Sequence, residues 1–490
     1  MGSTGTIIEI ECQLSNGLPS IVIVGLGNKA IDEAKERIRS AFASTDILLP
    51  RKRITINLAP ADIPKESTSL DLAIAIAIMS ASGQLPKQTT LNQAIIGEIG
   101  LGGDIRPVRG IIGKLLAGKK LGIDSFIVPT GNLSQALLVP GIEIITLENI
   151  KELTSDVPLI KHMGGHDLPT QKIASEYSLS EIAGQEQAKR ALTIAAAGGH
   201  NILLTGPPGT GKSMLAKTLS TLLPPMSRQE ILEVTHLHSL ASNKYDELVT
   251  ARPFRAPHHS SSHIAIVGGG TGARPGEITL SHRGILFLDE MPEFNRSSLE
   301  AMRQPLEDKL IRVTRIKQTV EYPADFILVA TANPCPCGFY GTTKECQCTP
   351  GQILHYRQRL SGPILDRIDL HVSVDTVEHE KLLANYSTKK DDSDIRKIVA
   401  NARQIQTVRY SDSAKTNATM TNREIKTSAL LSNTAKELLN QAATRLDISA
   451  RSYMRLIKVA RTIADLKRSS TIEPEHISEA LQYRTSRTKQ

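Results

Sequence analysis

Three short segments carry residue types suited to phosphate chemistry. In NILLTGPPGTGKS (201–213), an apolar strand pattern runs into Gly206, Pro207, Pro208, Gly209, Thr210, Gly211, Lys212 and Ser213, and a helix pattern from Met214 follows. This is the G-x-x-x-x-G-K-[ST] phosphate loop in its strand–loop–helix setting. The glycines let backbone N–H groups approach phosphates, and the helix N-terminus adds positive potential. Lys212 is expected to reach the terminal phosphates of ATP and Ser213 to hold Mg2+. GILFLDE (284–290) places Asp289 at the end of a buried strand, as a second Mg2+ holder through water. Glu290 beside it suits a general base that polarises the attacking water. FILVATANP (326–334) is another buried strand; Asn333 at its end suits orientation of that water, or a turn cap before Pro334.

Four of the five cysteines, Cys335, Cys337, Cys346 and Cys348, fall within 14 residues. Four thiolates suit tetrahedral Zn2+ in a closed, structural site; the alternative is a set of reducible thiols bracing the loop beside Asn333. Such clustering is not a secreted disulfide framework. Cys12 stands alone and reads as core. His258, His259 and His263 lack a further ligand at a metal spacing and read as packing or hydrogen-bonding groups.

Elements that position these residues are legible along the chain. SIVIVG (20–25), RITINL (53–58), AIIGEIG (94–100) and SFIVP (125–129) read as strands, and 28–42 and 69–83 as helices. Residues 153–178 read as a polar linker, 179–378 as alternating strands and helices, and 379–490 as helical. Thr421 with Glu424 forms a capping-box pattern, and Pro474 fits the first turn of a last helix.

Composition sets limits. At ~100–200 residues per domain, 490 residues predict about three domains. Apolar content of 40% and charged content of 22% are ordinary for a globular chain. No run approaches the ~18 apolar residues of a membrane span, and the start lacks a signal-peptide layout, so a cytoplasmic protein is expected. Aromatics are 3% with no Trp, which argues against broad base-stacking platforms. Net charge is +8, and residues 381–490 hold 21 Lys and Arg against 11 Asp and Glu, so an anionic partner or a solvated basic surface is expected there.

The order phosphate loop, acidic strand, Asn-ended strand and helical lid resembles the AAA+ ATPases. More narrowly, RPFRAPHHSSS (252–262), PGEITLSHRGILFLDE (275–290), ANPCPCG (332–338) and RLSGPILDRIDLHV (359–372) resemble the magnesium-chelatase-like ATPases of the ComM/YifB type over nearly the whole chain. The resemblance implies an α/β N-terminal domain with a Lon-protease-like (ribosomal-protein-like) fold over 1–152. It also implies an AAA+ P-loop core with a parallel sheet over 179–378, carrying the Cys-rich loop 335–348, and an α-helical lid over 379–490. It casts Arg367 as an arginine finger reaching a neighbour's ATP, and Arg451 as a lid arginine on the same nucleotide. The alternatives are a salt bridge from Arg367 to Asp366 or Asp369 and a plain surface charge at Arg451. A finger in trans implies a ring, a homo-hexamer.

In related ring motors a hairpin such as 307–326 projects into the channel, so Arg312, Arg315 and Lys317 near its turn are candidates for DNA phosphates, as is Arg274 at the tip of the Gly-rich stretch 268–276. Ordinary solvated loops are the alternative. Lon-type peptidases use a Ser–Lys dyad. Ser69 falls at the serine position, but Ile112 stands where the lysine would be, with Lys114 two residues on, so no peptidase activity is expected. Similar proteins carry some residues before the point where this chain begins, so its N-terminus reads as trimmed. The resulting expectation is a DNA-dependent helicase or translocase promoting branch migration in recombination and natural transformation. The rival is a magnesium-chelatase- or MoxR-like protein-remodelling ATPase that uses no nucleic acid.

Overall fold

The three phosphate-site segments become neighbouring strands because each is an uninterrupted apolar run, suited to a parallel sheet covered on both faces. In the computed structural model Ile202–Thr205, Ile285–Leu288 and Ile327–Ala332 are almost wholly buried. The structure describes residues 6–25, 29–61, 68–85, 93–155, 157–165, 177–241, 247–270, 273–314, 319–342, 344–360, 362–377 and 390–484. It divides into two units, Met1–Thr170 with Ser227–Thr250, and Gln171–Met226 with Ala251–Gln490.

The second unit is built on a five-stranded sheet in the order Phe254–Arg255, Ile285–Leu288, Ile327–Ala332, Ile202–Thr205, Leu370–Ser373. Every pair in it is parallel. Helices Glu186–Gly198 and Lys212–Leu222 contribute Leu192, Ile194, Leu215 and Leu219 to its core. The same core takes in the C-terminal helices Lys390–Tyr410, Asn422–Ser428, Asn433–Arg445, Ala450–Leu466 and Pro474–Gln482. Two of these start as their sequence dictates. Thr421 and Glu424 close a reciprocal capping box, and Pro474 occupies the first turn of its helix.

The first unit holds a three-stranded sheet with Arg53–Ala59 at its centre, antiparallel to Glu9–Ser15 and parallel to Ser20–Val24. A four-stranded sheet follows, in the order Gln93–Ile95, Ser125–Pro129, Glu143–Leu147, Lys161–Met163. Helices Lys29–Ser44 and Asp71–Ala81 pack Ile38, Phe42, Leu72 and Ile76 into the core, and Cys12 packs against it from its strand. Burial pushes the Cys12 thiol up.

Two boundaries differ from the sequence reading. Residues 161–163, placed in the linker, form an antiparallel edge strand against Glu143–Ile145, with Lys161 Nζ 3.0 Å from Glu143. Three residues are too few to show an alternation. Residues 227–250, placed in the ATPase core, belong to the first unit. Arg228 of the helix Arg228–Ala241 donates to the Gly165 carbonyl at 2.9 Å, and the His236 ring covers Gly113, where an added Cβ would lie 2.4 Å away. Burial and the nearby Lys114 charge hold His236 down at about 4.

Ile112 is wholly buried, and Lys114 donates to the Arg109 carbonyl at 2.9 Å. Ser69 is buried in the turn Thr68–Leu70. Among the described residues no helix is long and apolar enough to cross a membrane.

The lid closes over an ionic knot. Asp465 accepts from Arg461 Nε at 3.1 Å, Arg409 Nη1 at 2.8 Å and Asn417 Nδ2 at 2.8 Å, and both Arg461 and Asp465 are buried. Asp465→Ala would strand two guanidinium groups, and urea melts followed by helical circular dichroism should show a loss of about 3–5 kcal/mol.

Candidate ATP site and cysteine cluster

The sheet delivers its chemistry at the C-terminal ends of three adjacent strands. Thr205 runs into the loop 206–211, Leu288 into Asp289, and Ala332 into Asn333. Gly206 lies so close to the next strand that a Cβ would meet the Val374 carbonyl oxygen at 2.1 Å. Gly209 and Gly211 turn the loop with φ of 78° and 82°, a region closed to most side chains. Thr210 Oγ1 donates to the Pro207 carbonyl at 2.9 Å. Pro207 is buried, Pro208 exposed, and Met214 packs its side chain against the core.

Lys212 is buried, and its ammonium donates to the carbonyls of Gly206 and Pro207 at 2.7 Å each and to Asn333 Oδ1 at 3.2 Å. Burial lowers its pKa against the pull of Asp289 and Glu290. Ser213 Oγ donates to Asp289 Oδ2 at 3.1 Å. Lys212, Ser213, Asp289 and Asn333 are thus brought together as their segments suggested. Asp289 and Glu290 are exposed, and Glu290 holds φ at 51°. That left-handed backbone is uncommon for a non-glycine residue and is found at functional sites.

Thr331 was missed in the sequence. Its hydroxyl donates to Asp289 Oδ1 at 2.6 Å and accepts from the Glu290 N–H at 2.8 Å, fixing both acids at once. Glu307 was missed too. It pairs with both Arg367 and Arg451, so Arg367 is paired, but with neither Asp366 nor Asp369. Burial opposes ionisation of Glu307, but the two guanidinium groups outweigh it and hold its carboxyl below the usual range. Asp369 instead takes His200 Nδ1 at 3.2 Å and Arg455 at 3.6 Å. Burial would raise Asp369, yet His200 and the nearby cations hold it at about 2.

The four cysteines converge. Their sulfurs all lie within 4.8 Å of one another, with Cys335–Cys337 at 3.4 Å, Cys337–Cys346 at 3.6 Å and Cys335–Cys346 at 3.7 Å. The Phe339 N–H and neighbouring S–H groups pull the Cys337 thiol down to about 6; the Cys348 N–H favours the Cys346 thiolate, but burial and the Cys337 and Cys335 sulfurs outweigh it and push that thiol up to about 12. Among the described residues this is the sole cluster of three or more Cys, His, Asp or Glu side chains placed to hold a metal ion. The histidines pack instead: His258 Nδ1 lies 2.7 Å from Ser260 Oγ, and the His258 and His259 rings stack at 4.1 Å.

The hairpin Leu310–Thr314 with Thr319–Pro323 forms. Arg312 lies in its first strand, two residues before that strand's end, facing Glu321 at 2.6 Å. Arg315 and Lys317 lie outside the described residues. Arg274 is exposed and opens the second strand of a small ribbon with Gly268–Gly269 rather than standing at a tip.

A parallel sheet with a phosphate loop on an inner strand, an acid pair on a nearby strand and a helical lid is a P-loop ATPase of the AAA+ class. Comparison with known proteins narrows this. Residues 178–382 match the family described as magnesium chelatase, subunit ChlI. Residues 10–132 match subunit ChlI of Mg-chelatase, and 389–484 its C-terminal part. The chain is 41% identical over 494 residues to competence protein ComM of Haemophilus influenzae, covering 99% of this chain and 96% of that protein. It is 40% identical over 487 residues to the uncharacterized protein YifB of Escherichia coli, covering 99% and 95%. Lon protease 2 of Bacillus subtilis is 31% identical over 173 residues, 32% of this chain and 31% of that protease. The chain therefore belongs to the ComM/YifB-type, magnesium-chelatase-like AAA+ ATPases, and it is an ATP hydrolase.

Thr331→Val removes both hydroxyl contacts at nearly constant volume. Phosphate-release assays should show ATP turnover reduced roughly tenfold or more, the scale of losing a partner that orients a metal-holding side chain.

Proposed function

We propose that this protein is an ATP-driven DNA motor, a cytoplasmic ring of six identical subunits that translocates on DNA and promotes branch migration in recombination and natural transformation. The observation that carries the reading is the joining of its two basic elements. Tyr322 of the hairpin donates its hydroxyl to the Ala273 carbonyl at 2.6 Å, beside exposed Arg274. Arg274 and Arg312 thus ride on connected elements, suited to sequence-independent phosphate contacts. A relative at 41% identity is named a competence protein, which supports the DNA reading.

In this reading Lys212 turns from the loop carbonyls to the terminal phosphates of ATP. The loop 206–211 cradles the phosphates, with Met214 behind it, and Ser213 and Asp289, already 3.1 Å apart, hold Mg2+. Magnesium neutralises developing phosphate charge. Glu290 takes the proton of the attacking water, which Asn333 orients. Arg367 leaves Glu307 for the neighbouring subunit's ATP and offsets charge in the transition state, with Arg451 on the same nucleotide. The four cysteines hold a structural Zn2+ ion.

Glu290→Gln keeps size and binding groups but not basicity. Turnover should vanish while ATP binding, followed by a fluorescent analogue, persists; unchanged turnover would refute the role. Forked or four-way DNA should stimulate ATP turnover at low salt, and stimulation should fade as salt rises through counterion release. Normal basal turnover with no response to any DNA would instead support protein remodelling.

A further inference from the structure

The segment between Asn333 and the helix Pro350–Arg359 is tied to the ATP site at several points. Tetrahedral zinc with Zn–S bonds of about 2.3 Å requires sulfurs about 3.8 Å apart. The three pairs among Cys335, Cys337 and Cys346, at 3.4, 3.6 and 3.7 Å, approach that spacing and lie far beyond a disulfide bond. Two backbone donors face the sulfurs, the Tyr340 N–H to Cys335 Sγ at 3.3 Å and the Cys337 N–H to Cys348 Sγ at 3.4 Å. Such donors stabilise thiolates bound to a metal. Four protein ligands fill a tetrahedron, so this is a closed site with no position for catalysis.

The ends of the segment return to one residue. Cys335 follows Asn333 by two positions. Cys348 precedes Thr349, which caps the helix Pro350–Arg359 in a reciprocal box with Gln352. On that helix Tyr356 is buried, and burial pushes its phenol up to about 12, against the pull of the nearby Asn333 backbone. Between the cysteine pairs, Gly338 turns with φ 85° and lies against the phosphate loop, where an added Cβ would stand 2.6 Å from Pro208 Cδ.

We propose that a zinc ion held by Cys335, Cys337, Cys346 and Cys348 fastens two walls of the ATP site, Pro208 in the phosphate loop and Asn333, so that nucleotide affinity depends on the metal. This rests on reading 201–213 as the ATP site and the cysteines as a zinc site. Without the ion, the segment loses the one centre that draws its two cysteine pairs together, and with it the fixed placement of Gly338.

The test uses the full-length protein purified without chelator. Elemental analysis should find one zinc per chain. An organomercurial that titrates the thiols should release it to a chromogenic chelator. Affinity for a fluorescent ATP analogue should then fall roughly tenfold or more, the scale of an ångström-sized misplacement, and recover with thiol reductant and added zinc. Two glycine variants separate contact from strain. Gly338→Ala should keep its zinc and lose affinity to a similar degree. Gly341→Ala has a like backbone, φ 78°, but open space around the added Cβ, and should keep both. Absence of zinc would overturn the metal site. Zinc present, with affinity unmoved by its release and by Gly338→Ala, would overturn the fastening and leave the zinc reading intact. Failure of untreated protein to bind the nucleotide would overturn the ATP-site reading and the proposal with it.

Discussion

The ATP site depends on the register of three parallel strands. Leu204 lies level with Thr331 and Thr205 with Ala332, while Leu288 lies level with Ala330. This sets the start of the phosphate loop opposite Asn333 and puts the two acids within reach of the Thr331 hydroxyl. A slip of one residue would reverse every side chain on a strand and exchange Thr331 for an alanine. The strands are almost wholly buried, and the buried Thr331 hydroxyl meets both its partners in this register. The chemistry at the edge is thus positioned by packing several residues away.

Charge is held in reserve by internal acceptors. The Lys212 ammonium rests on two carbonyls and an amide oxygen, all weaker partners than a phosphate. Arg367 and Arg451 share a single carboxylate, so their cluster keeps an excess positive charge. Asn201, at the foot of the phosphate-loop strand, donates its side-chain amide to the Arg367 carbonyl at 3.0 Å and accepts from the Leu328 N–H at 2.9 Å. The base of the sheet thereby fixes the backbone of the proposed finger while leaving its guanidinium on an exchangeable partner.

What was legible in the sequence is what is local. The phosphate loop, the strand ending at Asp289, the box of Thr421 with Glu424 and Pro474 each need only near neighbours in the chain, and the structure places them as the residues indicate. Thr331, Glu307 and Tyr356 were not legible, because their roles arise from register and from elements far apart in sequence. The contact of Gly338 with Pro208 spans 130 positions and leaves no periodic trace. The four cysteines stand between these cases: their clustering was visible, but their convergence required the turns to be built. The pairing of Arg312 was hidden for a similar reason. A hairpin can be inferred from its strands, but the register that sets Arg312 against Glu321 cannot.

The excursion 227–250 has a mechanical meaning. The chain passes between the two units at 170/171, 226/227 and 250/251, so three covalent lines join them where a simple tandem arrangement would have one. A single nick leaves the units tethered. One line leaves just after the helix Lys212–Leu222, which begins at the phosphate-loop lysine, and another returns just before the edge strand Phe254–Arg255. Only a few residues of backbone separate that helix from the other unit. A subunit wired this way can transmit strain through its covalent chain, without relying on a surface that must stay docked throughout the cycle.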